Sequence, residues 1–164
     1  GLYTNEKNVP LGLNYADCTP LLFYDPVTSS IAVAHGGWRG TAGNIAGEAV
    51  RHLQESYGAE PKNIKAGIGP AIGKSVFEVE KDVVEAFEKI FDEEEMRRLS
   101  APKGEGKILI DLPLANRILI ERAGILPENI EDCGIRTYCR NDLFYSYRKA
   151  AGRTGRHMAV MMLK

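Results

Sequence analysis

Asp17-Cys18 and His35 are the residues of this 164-residue chain best suited to act together in chemistry. Cys18 stands just before a short apolar run, Pro20 to Tyr24, and His35 ends a second one that begins at Ile31. Asp25-Pro26 and Ser29-Ser30 lie between the runs and read as a turn. If the runs pair as a hairpin, its open end, opposite that turn, brings Cys18 and His35 together. Two chemistries use such a pair. A thiolate and a neutral imidazole are two of the usual tetrahedral zinc ligands, and a catalytic zinc site leaves one position for water or substrate. Alternatively, His35 activates Cys18 as a nucleophile with no metal, and Asp17 orients the imidazole. A buried cysteine packing as a small hydrophobe and a hydrogen-bonded histidine account for the spacing equally well. Two residues alone make no motif.

The segment after His35 adds to the case for chemistry. Gly36-Gly37-Trp38-Arg39-Gly40-Thr41 follows a strand and precedes a helical pattern. A strand, a glycine-rich turn and a helix start make an anion site, because backbone N–H groups point inward and the helix N-terminus carries partial positive charge. Arg39 adds a planar fork suited to phosphate or carboxylate. The glycine spacing matches neither the phosphate loop nor the dinucleotide fingerprint. A structural turn, with Trp38 buried and Arg39 in an ion pair, is the competing reading. Gly67-Ile68-Gly69-Pro70-Ala71-Ile72-Gly73 is a second strand-to-loop element, which lines a pocket or simply turns tightly. Phe144-Tyr145-Ser146-Tyr147-Arg148 and Gly152-Arg153-Thr154-Gly155-Arg156 combine aromatic faces with cations. Such a mixture suits a nucleobase, although aromatic stretches more often belong to a core.

Other reactive residue types have ordinary readings. His52 sits within a helical pattern beside Arg51 and reads as a surface residue; His157 has no local partner. Cys133 and Cys139 lack zinc-ribbon spacing and read as inert thiols. Glu93-Glu94-Glu95 reads as a solvated run.

These residues need elements to hold them. After the hairpin, Ile45, Ala46, Ala49, Val50, Leu53 and Tyr57 form one helical face, with Thr41 or Asn44 as its cap and Gly58 and Pro61 at its end. Ile64 to Ile68 and Val76 to Val79 read as strands. Val83 to Phe91 reads as a helix, and Asp92 to Arg98 as a helix or helix end. Lys107 to Ile110 reads as a strand leading into a helix capped by Asp111, with Pro113 in its first turn and Gly124 after its end. Ile130 to Thr137 and His157 to Leu163 read as extended. Some neighbouring strands have connections too short for a parallel crossover, so the expected class is α/β or α+β with a mixed sheet.

The bulk numbers bound the function. At 164 residues the chain fits one compact domain, residues 1–164. A formal net charge of -1 gives no field to recruit nucleic acid or an anionic membrane. No apolar stretch approaches the ~20 residues that span a bilayer. Three cysteines are too few for a disulfide scaffold and suit a reducing compartment, so the expected setting is the cytoplasm. The chain starts at Gly1 without an initiator Met, so it is expected to lack an N-terminal portion of a longer protein.

Five blocks carry a family resemblance. Tyr15-Ala16-Asp17-Cys18-Thr19-Pro20 and His35-Gly36-Gly37-Trp38-Arg39-Gly40-Thr41 resemble the two signature blocks of the YfiH, or laccase-domain, family. Gly69 to Gly73 with Phe77-Glu78-Val79, Asp111-Leu112 with Asn116, and Leu143 to Arg148 with Thr154-Gly155-Arg156 resemble its later blocks, in the family's order. The resemblance implies an α+β fold, an α/β/β/α sandwich with mixed sheets. It also implies a mononuclear zinc site of two histidines and one cysteine, matched here by Cys18 and His35. The other histidine lies upstream of the cysteine block in the family, and neither His52 nor His157 matches it. The implied activity is phosphorolysis of purine nucleosides (adenosine, inosine, guanosine and methylthioadenosine) with phosphate, accompanied by deamination of adenosine. On this reading Cys18, His35, Asp17 and Arg39 are catalytic, Asp17 moving a proton and Arg39 with Gly37 holding phosphate. Arg148 and Tyr145 contact the purine or ribose. Bacterial relatives are also linked to correcting peptidoglycan precursors, which a metal-free cysteine hydrolase could do. The family's older label is a copper polyphenol oxidase, but laccase chemistry needs many histidines and this chain has three. Zinc is the expected ion, and the oligomeric state is left open.

Overall fold

The computed structural model describes residues 1–104 and 106–164. In chain order it forms β1 (Leu2–Thr4), β2 (Leu11–Tyr15), β3 (Thr19–Asp25), β4 (Ser30–Gly36), the short helix α1 (Trp38–Ala42) and the longer α2 (Ile45–Tyr57). Strands β5 (Lys65–Ile68) and β6 (Glu78–Val79) lead to α3 (Lys81–Glu88) and α4 (Glu93–Leu99). Then follow β7 (Ser100–Gly104), β8 (Lys107–Ile110), α5 (Leu112–Arg122), β9 (Ile130–Asp132) and β10 (His157–Met161).

The expected hairpin is β3–β4, and its turn is built by a buried carboxylate. Asp25 accepts the Val27 N–H at 3.0 Å and the Thr28 hydroxyl at 2.8 Å, the local bonding by which aspartate makes turns. That turn sets a register running from Asp25 opposite Ser30 to Thr19 opposite Gly36. A slip of one residue would exchange the two faces. On one face Leu21 and Phe23 lie beside Ala34 and Ala32, in the main core under α2 and α5. On the other, Ile31 and Val33 meet Leu11, with Leu13, Leu22 and Met161 packed around them. Both faces are covered, so the strands read as continuous apolar runs rather than as alternation.

The hairpin is the centre of a five-stranded sheet ordered β1-β4-β3-β5-β9, antiparallel except for the parallel β5–β9 pair. The antiparallel β2–β10 pair covers one side and helices cover the other, forming α/β/β layers of the expected sandwich. A small antiparallel sheet, β6-β8-β7, carries the third group of strands. The class is α+β with mixed sheets.

Helix ends follow the residue types. Asn44 caps α2 by accepting from the Gly47 N–H at 3.2 Å, and Gly58 at φ 72° ends it. Asp111 caps α5 through the Leu114 N–H at 3.1 Å. The stretch expected as a solvated acidic run is corrected at one position. Glu95 completes a capping box with Asp92 and pairs with Arg122 of α5. Extended structure after Ile130 stops at Asp132, while β1, β2 and β7 are strands that the local pattern did not announce.

Candidate active site

The last pairs of the hairpin, Pro20 with His35 and Thr19 with Gly36, place Cys18 beside the end of β4. The convergence is visible at Gly37. A Cβ there would stand 3.0 Å from Cys18 Sγ and 3.6 Å from His35 Cδ2, so the two side chains flank a gap that glycine leaves open. Gly36 is equally constrained, since its Cβ would meet Asn116 Oδ1 at 2.8 Å and the Thr19 carbonyl at 2.9 Å. Asn116 is fully buried on α5. Its amide donates to the Leu112 carbonyl at 2.9 Å and to the Thr41 hydroxyl at 3.0 Å, fixing α1 against α5. The glycine turn is therefore gripped between β3 and α5.

Beneath Cys18 lies a second polar anchor. Asp17 is 7% exposed, and both of its carboxylate oxygens are occupied. Oδ1 accepts the hydroxyl of fully buried Thr137, and Oδ2 accepts the Arg148 N–H at 2.8 Å. The Asp17 carbonyl accepts the Ile72 N–H at 2.9 Å, tying the Gly69–Gly73 loop to the same strand entry. Thr137 lies 120 residues from Asp17 and has no signal in the sequence.

Burial pushes the Cys18 thiol above its ordinary range, and the Asp17 charge adds to this, while Arg156 pulls the other way. Partial burial of the ring, and then the Gly1 ammonium, lower His35 and so favour its neutral form, although the residue is exposed at the strand end. A neutral imidazole and a thiol that needs a cation to ionise fit two positions of a zinc site. Among the described residues no group of three His, Cys, Asp or Glu side chains converges, so the donor set here is these two.

A cavity of about 120 Å³ opens beside Cys18, lined by Asp17, Trp38, Ile72, Phe77, Tyr147 and Arg148 among others. Of the residues expected to contact a substrate, Arg148 is there. Its guanidinium donates to the Val76 carbonyl at 3.3 Å and the Glu78 carbonyl at 3.0 Å. Arg39 does not line the cavity; it sits 4.2 Å over the Trp38 ring and makes no carboxylate pair among the described residues. Tyr145 does not line the cavity. It stacks on His157 at 5.6 Å, and Tyr147, two residues on in an irregular segment, takes the lining position.

The remaining candidates lie elsewhere. His52 is half-buried rather than a plain surface residue: it stacks on Tyr3 of β1 at 4.9 Å, in a pocket shared by α2, β1 and β4. His157 finds partners the sequence did not reveal: it packs among Tyr15, Phe144 and Tyr145, and its Nδ1 accepts the Tyr145 N–H at 3.3 Å. Cys133 and Cys139 are exposed thiols. No helix among the described residues is long and apolar enough to cross a membrane.

Residues 1–164 match a family model described as multi-copper polyphenol oxidoreductase laccase. The chain is 39% identical over 164 residues to a Bacillus subtilis (strain 168) protein named purine nucleoside phosphorylase YlmD, covering all of this chain and 58% of that protein. It is 32% identical over 168 residues to human purine nucleoside phosphorylase LACC1, covering all of this chain and 38% of the relative. Among solved structures, a Bacillus licheniformis protein described as hypothetical protein YfiH superposes with a TM-score of 0.95 at 38% identity, over 99% of this chain and 60% of that one. YlmD from Geobacillus stearothermophilus superposes with a TM-score of 0.92 at 35% identity, over the same shares of the two chains. The chain thus spans about three-fifths of the length of the bacterial relatives it matches.

Proposed function

The chain belongs to the multi-copper polyphenol oxidoreductase laccase family, and from that premise we propose that it is the catalytic part of a zinc-dependent purine nucleoside phosphorylase. One observation carries the reading: Cys18 and His35 flank Gly37 at the head of a glycine turn, beside a cavity with Arg148 in its wall. The names of the relatives at 39% and 32% identity point to the same substrate class.

Cys18 and His35 would hold zinc together with a histidine that neither His52 nor His157 supplies. The ion supplies Lewis acidity toward a substrate or water oxygen. In phosphorolysis a phosphate oxygen bonds to C1′ of the ribose as the C1′–N bond to the purine breaks. The products are ribose 1-phosphate and the base, which takes up a proton. Arg39 and the backbone of the turn at Gly37 hold the phosphate, and Arg148 faces the purine or ribose. Asp17, with both oxygens engaged, serves here by positioning Cys18 and the Arg148 backbone. Adenosine deamination, in which water replaces the amino group to give inosine and ammonia, is the accompanying activity. The setting is the cytoplasm, where the three thiols stay reduced. Copper oxidase chemistry has little support in the chain's own ligands, because His35, His52 and His157 occupy separate parts of the fold.

The test is product analysis from adenosine, with and without inorganic phosphate. Adenine and ribose 1-phosphate are expected only when phosphate is present, with a slower formation of inosine that does not need it. Inosine alone would make the protein a deaminase. Neither product, from protein carrying one zinc per chain, would remove the nucleoside reading and bring the cysteine hydrolase forward.

A further inference from the structure

Arg51, Arg117, Arg122, Arg136 and Arg140 each pair with a carboxylate. Arg39, Arg148 and Arg156 make no such pair among the described residues. Each lies over an aromatic ring, as Arg122 also does over Phe91 at 5.4 Å: Arg39 at 4.2 Å from the centre of Trp38, Arg148 at 5.6 Å from Phe77, and Arg156 at 5.6 Å from Tyr147. Those three rings are the aromatic residues lining the cavity beside Cys18. Arg39 and Arg156 do not themselves line it, so their guanidinium groups hold the rings from outside the cavity.

A guanidinium over an aromatic face is attracted by the ring quadrupole and limits how the ring can turn. Tyr147 needs such restraint, being half exposed in a segment without regular structure. Arg156 is itself fixed, donating from Nη1 to the Thr154 and Gly155 carbonyls at 3.1 and 2.9 Å. Trp38 is set by the helix start and by its packing against the main core. Ala16, Ile72 and Leu112 add apolar wall, and Asp17, Cys18 and Arg148 are its polar members. At about 120 Å³ the space is well below the roughly 300–1,000 Å³ of sites that enclose a whole small-molecule ligand. It suits a flat ring with the rest of the ligand outside.

We propose that Trp38 and Tyr147 are the walls against which a planar heteroaromatic base stacks, with Arg39 and Arg156 as positioning residues that hold those walls. For a purine nucleoside, the base enters the cavity and the sugar projects toward the Gly37 turn. The assignment deepens the nucleoside reading and rests on it for the identity of the base.

Trp38 is the chain's one tryptophan, so its emission reports on the cavity directly. Titration of the zinc-loaded protein with adenine should give saturable quenching. Tyr147→Ala should weaken adenine binding by about five- to 150-fold, the range that stacking on an aromatic side chain supplies. Tyr147→Phe should bind as the unaltered protein does. Tyr147→Leu, which keeps apolar packing without a flat face, should match the alanine variant and serves if that variant does not fold. Arg156→Gln should weaken adenine binding less than Tyr147→Ala does, because the wall is loosened and not removed. Adenine binding that is absent, or unchanged in both Tyr147→Ala and Tyr147→Leu, overturns the proposal. If adenine binds as described but adenosine is not phosphorolysed, the stacking site stands and the phosphorylase reading falls.

Discussion

Thr137→Val removes one hydroxyl from beneath Cys18 and leaves the branched side chain in place. That hydroxyl is fully buried and donates to Asp17, whose carboxylate is 7% exposed. A hydrogen bond to a charged group contributes about 1.5–3 kcal/mol, and no solvent reaches this oxygen to replace it. For a chain of this length each kcal/mol moves the melting temperature by roughly 2–4 °C, so a fall of about 3–12 °C is expected. Asp17→Asn should cost less. The Thr137 hydroxyl can turn to accept from the new amide while the remaining oxygen keeps the Arg148 N–H, so only the charge is lost. Asp17→Ala should cost most, because it leaves two donors without an acceptor. Melting followed by circular dichroism gives the order, and adenosine phosphorolysis on the same samples gives the function. Asp17→Asn should keep a measurable fraction of activity if the carboxylate anchors the site. Loss of all activity at an unchanged melting temperature would refute the anchor and make Asp17 a proton carrier. An asparagine variant as unstable as the alanine one would refute the hydrogen-bond account itself.

Gly37→Ala puts a methyl group 3.0 Å from Cys18 Sγ. Zinc affinity, measured by competition with a chelator, should fall about tenfold or more while the melting temperature of the metal-free protein changes little; unchanged affinity would contradict the convergence at Gly37. Asn116→Ala leaves the Thr41 hydroxyl without its partner in a fully buried position, and should cost about 1–3 kcal/mol in urea unfolding. Glu78 is held down to about 2 by its hydrogen bonds to Lys103 and then Lys107. A lowered carboxylate stabilises the fold above its unfolded value near 4.5, and that contribution is lost as pH falls toward 2. A Lys103→Met, Lys107→Met double variant should therefore show a shallower loss of stability between about pH 4.5 and 2, and an unaltered acid limb would count against the pairing.

The hairpin that builds the site was legible because both of its strands are short apolar runs around a turn rich in Asp, Pro and Ser. Its open end followed from that alone, and the structure brings Cys18 and His35 to it. Asn44 and Asp111 announced their caps by residue type. Strand β2 was hidden although Leu11, Leu13 and Tyr15 alternate, since Gly12 and Asn14 between them are poor strand formers. Strand β7 holds Pro102 and ends at Gly104; its pairing with β8, not local preference, makes it a strand. Tyr145 and Tyr147 could not be told apart from sequence, because an irregular segment has no period to say which ring faces the cavity. The Thr137–Asp17 contact joins residues 120 positions apart and leaves no local trace. The isolated acidic run was misread at Glu95, whose partner Arg122 lies on another helix.

The most direct test of the central claim is metal content and ribose 1-phosphate formation measured together, for the unaltered protein and for Cys18→Ala. One zinc per chain and phosphate-dependent ribose 1-phosphate, both lost in Cys18→Ala while the fold is retained, is the predicted result. Ribose 1-phosphate formed at an undiminished rate by a folded, zinc-free Cys18→Ala protein would contradict it.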